Sequence, residues 1–113
     1  MIRTALLISI ITIASVALSC SARRSEPIAG PLLLSSPEIA EGRKIFMDHC
    51  HQCHPGGEAG LGPSLNNKPL PAFAIRTQVR HGFGAMPAFY ENEISETELD
   101  SLVTYLKALR QHG

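Results

Sequence analysis

Tryptophan is absent from this 113-residue chain, and four Phe and two Tyr are its only aromatic residues. Excess charge is absent too. Ten Lys and Arg balance ten Asp and Glu, which argues against a nucleic acid or any strongly charged partner. No internal repeat and no low-complexity array is present, and the length allows one small domain. Alternating strand patterns are missing, which removes the βαβ setting of a C-x-x-C dithiol oxidoreductase. Cysteine is scarce: there are three, an odd number that disulfide pairing cannot use up. No cysteine follows Cys53, and only His81 and His112 follow His54. A zinc module needs two well-separated ligand pairs, and this chain has no second pair.

What is present is concentrated at Cys50-His51-Gln52-Cys53-His54. The pattern C-x-x-C-H is that of covalent haem attachment. Each thiol can add across one haem vinyl group, and the histidine can ligate the iron from one face. Positions i, i+3 and i+4 of a helical turn share a side, so both sulfurs and the imidazole can meet one porphyrin.

The N-terminus accounts for the third cysteine. Met1-Ile2-Arg3 is a short basic start, residues 4–18 are apolar with scattered Ser and Thr, and small residues precede Cys20. This has the form of a secretory signal peptide over residues 1–19. A transmembrane helix is the alternative, but the run is on the short side of the ~20 residues that a span needs. Ala17-Leu18-Ser19-Cys20 resembles a bacterial lipobox, although its Leu sits out of the usual register; ordinary signal peptidase cleavage is the alternative. The lipobox reading implies an acylated Cys20 that holds the protein on the periplasmic side of a bacterial membrane. Two or more acyl chains anchor stably where one binds marginally. Residues 20–35 then read as a tether, with Ile28 and Leu32-Leu33-Leu34 apolar enough to pack on the domain surface.

The domain proper is expected over residues 36–113. Ser36-Pro37-Glu38 predicts a helix start, with the helix running to about His49. Gly42, Phe46 and Cys50, spaced by four, form one stripe along it. A mid-helix Gly costs about 1 kcal/mol against Ala, which points to close approach by another helix at Gly42; a tolerated surface glycine is the alternative. Residues 55–67 contain four Gly and two Pro and predict a loop. Residues 72–81 predict a short helix closed by Gly82, with Ile75 and Val79 on one face and Arg76 and Arg80 on another. Either Arg offers a rigid fork of donors suited to a haem propionate; solvated surface positions are the alternative. Ser95-Glu96-Thr97-Glu98 is a capping box. It opens a helix whose apolar face is Leu99, Leu102, Val103, Leu106 and Leu109.

Taken in order, these motifs resemble the class I c-type cytochromes. The run Ala40-Glu41-Gly42-Arg43-Lys44-Ile45-Phe46 before C-x-x-C-H is similar to the family's N-terminal helix. Leu61-Gly62-Pro63-Ser64-Leu65 is similar to its proximal loop, and Met86-Pro87-Ala88-Phe89 to its distal loop. The resemblance implies an all-α fold, three or four helices around one covalently bound haem c, with the first and last helices crossing where Tyr105 or Leu102 meets Gly42 and Phe46. It implies the Pro63 carbonyl as partner of His54 and Met86 as sixth ligand. Elimination agrees on Met86: Met1 leaves with the signal, and Met47 shares a helical segment with His54. A core methionine is the plain alternative, and His81 is the rival ligand. The implied function is one-electron transfer between a redox donor and an acceptor, with no small-molecule substrate and no catalysis of its own. The alternative keeps the haem but opens the site, or ligates it with two histidines, for sensing or peroxidase-like chemistry.

Overall fold

The computed structural model describes residues 26–113. The expected signal peptide and Cys20 lie outside the described residues. The order is α1 (Pro37–His49), a single 3-10 turn (Pro55–Gly57), α2 (Ala72–His81) and α3 (Glu96–His112). Among the described residues there is no strand, only an isolated bridge between Phe83 and Met86. None of the described helices is long and apolar enough to cross a membrane.

Helices α1 and α3 begin, and α2 ends, for local reasons. The Ser36 hydroxyl accepts from the Ile39 amide at 3.1 Å, satisfying one of the unpaired donors of the first turn of α1. The Ser95 hydroxyl accepts from the Glu98 amide at 3.3 Å, and the Glu98 carboxylate accepts from the Ser95 amide at 2.7 Å, completing the capping box of α3. The Ser95 amide first, and its hydroxyl second, hold the Glu98 carboxyl below its usual range. Gly82 stops α2 with φ at 68°, a conformation that a side chain resists.

The core is the crossing of α1 and α3. A Cβ on Gly42 would run into the Ser101 carbonyl oxygen and lie 2.6 Å from the Tyr105 Cβ, so the backbones meet there. Phe46 is fully buried, its ring 5.4 Å from that of Tyr105. Tyr105 therefore takes the crossing position, and the Ser101 carbonyl shares it. Leu99, Leu102, Val103, Leu106 and Leu109 are all buried, as the apolar face predicts, together with Ile75 and Val79 from α2.

The segment before α1 is strapped to the domain rather than free. The Ala29 amide donates to the Gln111 carbonyl at 2.9 Å, and His112 Nδ1 donates to the Gly30 carbonyl at 2.9 Å. Leu32 packs against the core, while Ile28, Leu33 and Leu34 are exposed.

Candidate haem site

The attachment motif sits where α1 ends. Cys50 caps the helix through a bond from its amide to the Phe46 carbonyl at 2.8 Å. The Cys53 and His54 amides both return to the Cys50 carbonyl, at 3.2 and 2.9 Å. This turn gathers Cys50, Cys53 and His54 into one compact unit. Both thiols are free and half-buried. Burial first, and the neighbouring Cys53 second, push the Cys50 thiol up to about 12, so it stays protonated at neutral pH.

The Gly-rich loop then folds back over His54. The Gly62 amide donates to the Cys53 carbonyl at 2.9 Å. A Cβ on Gly62 would lie 2.8 Å from each nitrogen of the His54 ring and nearer still to Cε1, so bare backbone packs on the imidazole. His54 Nδ1 bonds the Pro63 carbonyl at 2.7 Å. A carbonyl oxygen only accepts, so Nδ1 carries the proton and Nε2 presents its lone pair. Such a bond fixes the ring and raises its basicity. His51, inside the motif, accepts from the Gly56 amide at 3.0 Å and pins the start of the loop.

Met86 lies in a tight turn after α2. The Phe83 and Met86 amides and carbonyls exchange bonds at 3.2 and 3.0 Å. A Cβ on Gly82 would collide with the Met86 carbonyl, so this turn requires glycine. Met86 is half-buried against the core, and Gln78 Nε2 donates to its sulfur at 3.5 Å. Sequence reasoning missed Gln78; its only signal is a polar residue on the helix face that precedes the turn. Phe89 ties this loop to the end of α1, packing edge-on against His49 with centroids 5.7 Å apart. His81 is exposed at the end of α2.

Arg76 and Arg80 are both engaged with the start of α3 and the loop before it. Arg76 pairs with Glu96 and Asp100, and Arg80 pairs with Glu96 at 2.7 Å. Arg80 also donates to the carbonyls of Phe89 and Ile94. The acidic start of α3 lies against α2, and this supplies counter-charges that helix spacing alone does not reveal.

The attachment motif fits a covalently attached haem: two thiols and one oriented imidazole nitrogen, framed by glycine backbone that admits close packing. It does not fit zinc, because no three of the described His, Cys, Asp and Glu residues are grouped to hold a metal.

Known proteins agree. Residues 37–106 match the family described as "Cytochrome C oxidase, cbb3-type, subunit III". The cytochrome c subunit of 4-cresol dehydrogenase [hydroxylating] from Pseudomonas putida is 37% identical over 68 residues, which cover 60% of this chain and 59% of that subunit. Cytochrome c6 of Gloeothece citriformis is 31% identical over 84 residues, covering 67% of this chain and 76% of its own. The crystal structure of cytochrome c6 from the diatom Phaeodactylum tricornutum superposes with a TM-score of 0.55 at 29% identity, covering 64% of this chain and 93% of that one. With the family matched across α1, α2 and most of α3, this chain belongs to the class I c-type cytochromes and is an electron carrier with covalently bound haem c.

Proposed function

We propose that this chain is a one-electron carrier whose iron is ligated by His54 on one face and Met86 on the other. The observation that carries the reading is the setting of Met86. A methionine serving only as core filler is surrounded by apolar groups, whereas this sulfur receives a hydrogen bond from Gln78 in a turn that admits only glycine behind it. When bound, the haem supplies an iron that changes valence by one electron, and His/Met ligation favours a high potential suited to electron transfer. The protein's share is to hold and shield. Pro63 keeps the His54 proton on Nδ1, so that the Nε2 lone pair is available as a ligand. The Met86 thioether would hold the second ligand position and so leave none for a substrate. Hence the chain carries electrons and catalyses nothing.

One relative and the matched family suggest partner classes. One is by name the cytochrome subunit of a dehydrogenase, and the matched family is by name an oxidase subunit. A dehydrogenase donor and an oxidase-type acceptor follow as the first to test. Acylation of Cys20 would place the transfer at the periplasmic face of a bacterial membrane. Full-length protein expressed in a bacterial host is expected in the membrane fraction, and Cys20→Ala in the soluble one; the same fraction for both removes the anchor. Ferrous protein is expected to bind carbon monoxide slowly or not at all. Rapid binding removes the closed-site reading and favours the sensor or peroxidase alternative.

A further inference from the structure

Arg80 grips the loop that carries Met86. Its Nη1 donates to the Phe89 carbonyl at 3.1 Å and to the Ile94 carbonyl at 2.7 Å, while Nη2 bonds Glu96 at 2.7 Å. The side chain is only 17% exposed, so these bonds are partly shielded from water. Bonds from a charged donor are about twice as strong as neutral ones, and the rigid guanidinium fork spans several acceptors at once.

The chain between Met86 and α3 is thereby closed from both sides. On the Met86 side, the Phe89 amide donates to the Val79 carbonyl at 2.9 Å, beside Arg80 on α2. On the α3 side, Ile94 is fully buried and its amide returns to the Tyr90 carbonyl at 2.9 Å. Glu96, the first residue of α3, holds the guanidinium in place, and Arg76 adds a second tie to Glu96 and to Asp100. A withdrawal of the Met86 loop pulls on Phe89, which Val79 and Arg80 hold to α2.

We propose that Arg80 is a positioning residue for the sixth ligand: with Glu96 it keeps the Met86 loop closed and so sets how readily an outside ligand displaces the methionine. The proposal rests on the reading of Met86 as a ligand. It assigns Arg80 a part in ligand exchange that neither its helical spacing nor a generic surface role implies.

The chain contains its own control. Arg110 makes the same kind of staple on a different loop, donating to the Lys68 carbonyl at 3.0 Å and the Leu70 carbonyl at 2.7 Å. Removing it also deletes an arginine and two carbonyl bonds, but not at the Met86 loop.

The test titrates ferric holoprotein with imidazole and follows loss of the sulfur-to-iron charge-transfer band, with thermal unfolding recorded alongside. In Arg80→Ala, imidazole affinity is expected to rise about tenfold or more, the scale of losing one supporting bond around a metal ligand. Arg80→Lys should fall between wild type and Arg80→Ala. Glu96→Gln should raise affinity by less than Arg80→Ala. Arg110→Ala should lower the unfolding temperature and leave imidazole affinity unchanged. Equal affinity in Arg80→Ala and wild type, or equal shifts in Arg80→Ala and Arg110→Ala, overturns the proposal. If Arg80→Ala does not fold, Arg80→Lys and Glu96→Gln decide, and affinities unchanged from wild type in both overturn it. A wild-type spectrum without the band, recorded before any imidazole, removes Met86 ligation itself and the proposal with it.

Discussion

Replacing Gly62 with Ala tests how the proximal loop controls His54. The added carbon would fall 2.8 Å from each ring nitrogen, where ordinary contact begins at 3.4 Å. Ring or loop must therefore move by more than half an ångström. The ring has little room, being 7% exposed and bonded to Pro63 at 2.7 Å. A shift of that size stretches the Nδ1–Pro63 bond past the usual 2.7–3.2 Å range. Loss of such a supporting bond costs roughly 10–100-fold in ligand strength. At about 1.4 kcal/mol per tenfold, that is roughly 1.4–2.8 kcal/mol. The basic, hydrogen-bonded imidazole favours ferric over ferrous iron, so weakening it raises the potential. If about 1 kcal/mol of the loss distinguishes the two valences, the rise is about 40 mV for a one-electron couple. Spectroelectrochemical titration of Gly62→Ala against wild type reads this directly, with haem staining on a denaturing gel to show that attachment is intact. An unchanged or lowered potential in the haem-loaded variant would refute the reasoning.

Two further outcomes follow from other contacts. Gly42→Ala places a carbon into the Ser101 backbone of α3, and backbone cannot swing aside. Overpacking of about 1–3 kcal/mol outweighs the ~1 kcal/mol gained in helix propensity, so the unfolding temperature should fall by about 5–10 °C; an equal or higher value counts against the crossing. Gln78→Leu removes the donor on the Met86 sulfur. The thioether becomes a better donor to ferric iron, and at ~0.5 kcal/mol for a long neutral bond the potential should drop by about 20 mV; a rise contradicts the assignment.

Features written in short stretches of sequence were legible without coordinates. The Ser36 and Ser95 caps, the Gly82 stop and the buried stripe of α3 depend on neighbours within four residues. Gly42 was readable as a close contact because glycine is costly inside a helix, although its true neighbour, the Ser101 carbonyl, belongs to backbone and leaves no residue signature. The Pro63 bond to His54 came from family likeness, since any carbonyl of the loop could have accepted. What stayed hidden is long-range and made by flexible side chains. The partners of Arg76 and Arg80 lie on α3 and in the loop before it, and a helix face of Arg looks alike whether it meets propionates, carboxylates or water. Ile94 is fully buried within an acidic stretch whose charge reads as solvated. Residues 26–35 read as linker, yet their bonds to Gln111 and His112 reach the far end of the chain.

The proposed ligation by Met86 completes the coordination that His54 opens. It is tested most directly by the near-infrared spectrum of the ferric holoprotein beside that of Met86→Leu. A sulfur-to-ferric-iron charge-transfer band is expected in the wild type and its loss in the variant, with the haem still covalently held by Cys50 and Cys53. A band that survives the substitution, or a wild type that never shows one, would contradict it.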